Sequence, residues 1–133
     1  MDSVLRAAGL KATAPRRALL QLLKKKHGPF TIEELGVLMK GKASCDPVTV
    51  YRCLSQFEKA NLVRRCDFGD GVARYEFRHE DEHHHHVICR KCSKVKNFDD
   101  DCLIDALEEV VKKMGYKDVT HSLEFFGTCA SCR

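Results

Sequence analysis

The chain has 133 residues, with 23 Lys/Arg, 19 Asp/Glu, 7 His and 8 Cys, and a formal net charge of +4 at pH 7. That length holds one domain or two small ones, and small domains bury so little surface that a staple is expected. No stretch approaches the ~18 apolar residues of a membrane span, and Met1 to Arg6 lacks the apolar core of a signal peptide. A cytoplasmic protein with no membrane partner is therefore expected, its cysteines free or metal-bound. The charge is uneven. Residues 1–66 carry 13 Lys/Arg against 5 Asp/Glu, and residues 67–133 carry 10 against 14. A basic front suits a polyanion; an acidic rear does not.

The front reads as a helical bundle and a hairpin. Pro15 opens a run in which Ala18, Leu19, Leu22 and Leu23 recur at helical spacing, stopped by Lys24-Lys25-Lys26-His27-Gly28-Pro29. Thr31 and Glu34 form a capping box for a second helix with Leu35, Leu38 and Met39 inward. Asp46 caps a third helix and Pro47 fills its first turn. In that helix Val50, Leu54 and Phe57 read as core, while Thr49, Arg52, Gln56 and Lys59 lie on the other face, bordered by Tyr51. A hydroxyl, a phenol, a guanidinium and an amide together suit base edges and phosphates in a major groove. Leu62 to Arg65 and Ala73 to Phe77 read as strands joined through Gly69-Asp70-Gly71. Three helices and a hairpin predict a winged helix, with Arg64 and Arg65 of the wing available to the phosphate backbone.

The rear reads β-β-α-β. Val87-Ile88 continues the histidine run His83 to His86 as a strand, and Val95 to Phe98 is a second. Asp101 is expected to cap a helix with Leu103, Ile104, Leu107, Val110, Val111 and Met114 on its apolar side, closed by Gly115. Val119, His121, Leu123 and Phe125 alternate along a last strand. So much apolar surface on a small sheet with one helix predicts burial against a second copy, hence a homodimer. Cys89-x-x-Cys92 and Cys129-x-x-Cys132 place four thiolates in two tight turns, the set that zinc favours; two disulfides are the competing reading. One structural Zn2+ per chain is expected.

Order and spacing of several motifs are similar to those of the ferric uptake regulator family of metal-responsive bacterial repressors. The matching residues are Gly9-Leu10-Lys11, Thr13-Ala14-Pro15-Arg16, Thr49-Val50-Tyr51-Arg52 and Phe68-Gly69-Asp70-Gly71. His83 through Cys92, His121-Ser122-Leu123 and Cys129 through Cys132 complete them. The resemblance implies an α+β fold: an N-terminal winged helix over residues 1–78, a hinge at 79–83 and a C-terminal α/β dimerisation and metal-binding domain at 84–133. It also implies a homodimer on a palindromic double-stranded operator. Tyr51 and Arg52 would contact the major groove, Lys11 the minor groove and Arg16 backbone phosphate.

Alternation along a strand puts His84 and His86 on one side and His83 and His85 on the other, so one run can serve two sites. The first pair has His79, Glu76, Asp67 and Cys66 close in sequence; the second would meet His121 and a helix carboxylate from Asp101, Asp105 or Glu108. Iron- and peroxide-sensing members resemble one another in a histidine before the second helix and an acidic ligand after the first cysteine pair, where this chain has Pro29 and Asn97. Zinc sensors similarly carry a cysteine where His79 stands. Nitrogen and sulfur donors suit zinc. The expected function is a repressor of metal uptake genes responding to Zn2+, with Fe2+ or Mn2+ and peroxide sensing as alternatives. His79-Glu80-Asp81-Glu82-His83 also matches the H-E-x-x-H of zinc hydrolases, and the C-x-x-C pairs match thiol redox motifs. The first lacks an amphipathic helix and the second lacks a helix to open, so no enzyme is expected.

Overall fold

The computed structural model describes residues 1–26, 28–42, 46–79, 85–98, 104–119, 121 and 123–133. The elements run α1 (Asp2–Ala7), α2 (Ala14–Lys25), α3 (Ile32–Leu38), α4 (Pro47–Lys59), β1 (Val63–Asp67), β2 (Ala73–Phe77), β3 (His85–Cys89), β4 (Val95–Phe98), α5 (Asp105–Lys113) and β5 (Glu124–Gly127). They form two compact units, residues 1–80 and 81–133.

In the first unit the starts of α3 and α4 follow from short side chains that accept otherwise unpaired backbone N–H groups. Thr31 Oγ1 accepts from Glu34 N at 3.1 Å, and Asp46 Oδ1 accepts from Thr49 N at 2.7 Å. α2 begins with Pro15 in its first turn and ends in Lys24 and Lys25, cations at the negative end of the helix dipole. Leu19, Leu20, Leu22 and Leu23 of α2 close on Leu35 and Met39, on Val50, Leu54 and Phe57 of α4, and on Val63 and Tyr75 of the hairpin. Spacings of three and four residues keep each helix's apolar stripe on this core. α1 was not expected from the sequence; its Leu5 is fully buried in the same core.

The hairpin pairs antiparallel, with Val63 opposite Phe77 and Asp67 opposite Ala73. Its turn holds Gly69 and Gly71 at φ of +80° and +77°, a region that side chains with a Cβ disfavour. Phe30 extends the hairpin by exchanging backbone hydrogen bonds with Tyr75.

In the second unit the strand order is β4-β3-β5, with β3 antiparallel to β4 and parallel to β5. α5 supplies the crossover that a parallel pair needs. Two expectations are corrected here. The last strand is β5 from Glu124, which lies opposite His86, and His86 N donates to Leu123 O at 3.5 Å just before it; Thr120 and Ser122 lie outside the described residues. α5 begins at Asp105 with Ile104 as its N-cap and no side-chain cap bond; Asp101 lies outside the described residues. No helix among the described residues is long and apolar enough to cross a membrane.

Candidate nucleic-acid interface and metal centre

The outward face of α4 carries Tyr51, Arg52 and Gln56, all exposed, with Thr49 half-buried at its flank. Arg16, at the start of α2, donates from Nη1 to the Lys11 carbonyl oxygen at 2.8 Å and from Nη2 to Gln56 Oε1. Lys11, Arg16 and Gln56 are thus one hydrogen-bonded group, which sequence spacing could not show because it links residues forty positions apart.

The wing divides its two arginines. Strand alternation turns Arg64 to the face shared with Cys66, Arg74 and Glu76, and leaves Arg65 on the other, exposed. Arg64 Nη2 meets Glu76 Oε1 at 2.5 Å, and the Cys66 thiol lies 3.8 Å from the same oxygen. Burial works against the Arg64 charge, but the neighbouring Glu76 and Cys66 outweigh it and hold the guanidinium above its ordinary pKa. Arg64 is therefore engaged within the wing, and Arg65 is the wing arginine open to a phosphate. Asp67 faces away from Cys66 and Glu76; its Oδ1 accepts from Gly69 N at 2.9 Å and closes the turn. The structure does not bring Asp67 to the other wing candidates. Arg74 is held over Phe68 at 5.3 Å and paired with Asp70 at 2.8 Å.

Parallel pairing explains why the four cysteines meet. β3 and β5 end side by side, Cys89 opposite Gly127, so the turns that follow both strands occupy the same edge of the sheet. Arg90 N donates to Gly127 O at 2.8 Å and Ser93 N to Cys89 O at 2.9 Å, while Cys132 N closes back on Cys129 O at 3.0 Å. The Sγ atoms of Cys89, Cys92, Cys129 and Cys132 all lie within 4.8 Å of one another. Cys92 and Cys129 are 3.8 Å apart sulfur to sulfur. A disulfide would require about 2.05 Å, whereas a tetrahedron of sulfurs about 2.3 Å from zinc has edges of about 3.8 Å. All four are free thiols, and the spacing fits a tetrahedral thiophilic cation.

Their protonation supports that reading. The N–H groups of Cys129 and Cys92, at 3.4 and 3.5 Å, point at Cys89 Sγ and lower its pKa to about 6. Cys132, crowded by Cys129 and Cys92, is pushed up to about 12. Four thiols this close cannot all ionise by themselves; a divalent cation among them removes that conflict. Neither cysteine pair opens a helix, which sets both apart from the redox motif.

Around the histidines, His85 and His86 are buried in β3, with Phe98 and Asn97 directly across on β4. His85 stacks on His121 at 5.9 Å and tilts against Phe98 at 5.6 Å. His121 Nδ1 is hydrogen-bonded to Glu108 Oε1, so among the described side chains Glu108 is a helix carboxylate that reaches this histidine. His83, His84 and the side chain of Asp105 lie outside the described residues, as do Glu80 to Glu82 of the H-E-x-x-H match. His79 packs edge-on against Phe77 at 4.8 Å.

A winged helix with a basic reading face, followed by a separate sheet that ends in a four-sulfur knot, defines a metal-responsive DNA-binding regulator. The model of the ferric uptake regulator family matches residues 7–126, and the chain belongs to that family. The ferric uptake regulation protein of Legionella pneumophila is 34% identical over 131 residues, covering 97% of this chain and 96% of that protein. The ferric uptake regulator of Pseudomonas aeruginosa, solved with manganese, is similar at a TM-score of 0.81 and 33% identity, covering 97% of both chains. That of Vibrio cholerae, known for rearrangement of its DNA-binding domains, has a TM-score of 0.80 at 32% identity, covering 96% of this chain and 98% of that one. The family's members are transcription regulators, and the chain is not an enzyme.

Proposed function

We propose that the protein is a zinc-responsive homodimeric repressor of metal uptake genes. Cys89, Cys92, Cys129 and Cys132 hold a structural zinc ion. A regulatory zinc ion is taken by His79, at the exit of the wing, and by His84 and His86 of the histidine run, with Cys66 or Glu76 of the wing as the fourth donor. Zinc bound there supplies a fixed coordination link. Lys11, Arg16, Thr49, Tyr51, Arg52, Gln56 and Arg65 then face a palindromic operator, two recognition helices one turn of DNA apart. His85 and His121, with Glu108, form a second, weaker histidine centre.

The observation that carries zinc over iron is the residue that faces His86 on the neighbouring strand. Across the strand from it stands Asn97, a neutral amide, where an oxygen-rich ferrous site calls for a carboxylate. The thiol of Cys66 beside Glu76 adds a soft donor on the wing. Imidazole and thiolate in a four-coordinate set suit zinc. The energy suffices: moving a two-state arm from mostly open to mostly docked takes about 5.5 kcal/mol of differential affinity, and folding-coupled zinc sites reach ~10 kcal/mol or more.

The test is operator binding titrated with zinc, ferrous iron and manganese at one stated salt concentration, since phosphate contacts make affinity steeply salt-dependent. Zinc should support binding at the lowest free concentration. His84→Ala with His86→Ala should abolish the metal dependence while the cysteine-bound zinc stays at one per chain. Unchanged metal-dependent binding in that double variant would refute the regulatory site.

A further inference from the structure

Val48 stands in the first turn of α4, 56% exposed and outside the hydrophobic core. Counted at about 100° per residue, it lies roughly 27° from the point opposite the Val50, Leu54 and Phe57 stripe, whereas Thr49 lies roughly 73° from that point, toward the flank. Tyr51, one turn on, is equally 56% exposed, and Arg52 follows it. A lone exposed valine on a protein surface has no meaning by itself. Here it occupies the N-terminal turn of a recognition helix, the part that reaches base edges, and it is a β-branched residue where helix propensity favours others.

The major groove presents one apolar group, the C5-methyl of thymine. Arg52 and Tyr51 can hydrogen-bond to base edges, but neither of their polar groups distinguishes that methyl from a hydrogen. We propose that Val48 is a specificity-determining residue, packing its two methyl groups on a thymine methyl in each operator half-site. The proposal rests on the reading of α4 as the operator-reading helix. It assigns Val48, not Thr49, to the centre of the contact. Burying one methyl group against another is worth about fourfold in affinity.

Uracil is the probe, because it deletes the methyl and keeps every hydrogen-bonding group. Zinc-loaded protein selects binding sequences from a random 30-base-pair duplex library, and each thymine of the selected half-site is then replaced singly by deoxyuridine. At one or more positions the wild type should lose about three- to fivefold in Kd at fixed salt. Val48→Ala, which relieves an exposed β-branched residue and so folds, should lose most of the uracil penalty at that same position. Equal uracil penalties in the two proteins at every position would overturn the assignment while leaving the regulator reading intact. Enrichment of no sequence over metal-stripped protein would instead sink both.

Discussion

Arg16 is held before any DNA arrives. Its guanidinium bridges the Lys11 carbonyl oxygen and the Gln56 side chain, which fixes the orientation of a charge that the resemblance places on a phosphate. Arg16→Ala should therefore weaken binding about equally on all duplexes and lower the salt slope by roughly 1, read from isotherms at several salt concentrations. Gln56→Ala removes only a tether, so affinity should fall less and the salt slope should stay. A shifted base preference in Gln56→Ala would show that the amide reads a base edge instead. Asp46 has a comparable local role at the N-terminus of α4. The Thr49 N–H, then the Thr49 hydroxyl, hold its carboxyl below the ordinary carboxylate value. A depressed folded-state pKa means that the stabilisation is complete above the unfolded value of about 3.9 and is lost as pH falls through the lower folded value. Asp46→Asn keeps an acceptor without the charge, so the drop in melting temperature between pH 7 and pH 3 should be smaller than in the wild type.

At the level of the element, the caps carry the prediction. Thr31→Ala strips the Glu34 N–H of its acceptor at the start of α3 and should cost ~1 kcal/mol, seen as a lower midpoint in denaturant at unchanged slope. The same caps made the three longer front helices legible: Pro15, Thr31 with Glu34, and Asp46-Pro47 each mark a start that the structure places within a residue or two. Six residues of α1 hold less than two turns, too few for a period, and Leu5 belongs to the core only through tertiary packing. The alternation from Val119 to Phe125 marked a strand, but a strand exists only where a neighbour pairs with it, and the paired residues of β5 begin at Glu124, opposite His86. At the site, the cysteine spacing was legible because two residues between ligands is a constraint of a single turn. The Arg16–Gln56 bond and the choice of Glu108 for His121 depend on which elements pack together, and spacing along one helix does not contain that.

On the proposed function, zinc and a second copy serve the whole molecule for the same physical reason. Among the described residues, the unit at 81–133 has one short helix and three short strands, and a unit of that size buries little core to set against chain entropy. Removing metal with a strong chelator, or Cys89→Ser, should melt this unit first, followed by circular dichroism, while residues 1–80 keep their cooperative transition. Metal does not cover apolar surface, however. Leu107, Val110 and Met114 recur at three and four residues along one face of α5 and are 61%, 54% and 69% exposed, and Phe125 and Phe126 of β5 stand open as well. An exposed apolar helix face of this kind is a usual form of an isologous interface. Val110→Glu puts a charge at the centre of that face, where a partner copy would bury it unpaired, and should convert the dimer to a monomer in sedimentation with zinc content unchanged. Binding to a single half-site would survive weakly, and binding to a full palindrome would lose the gain that comes from holding both halves at once. A Val110→Glu protein that remained dimeric would move the interface off α5, and the exposed phenylalanines on the β5 edge would then be the place to put the next charge.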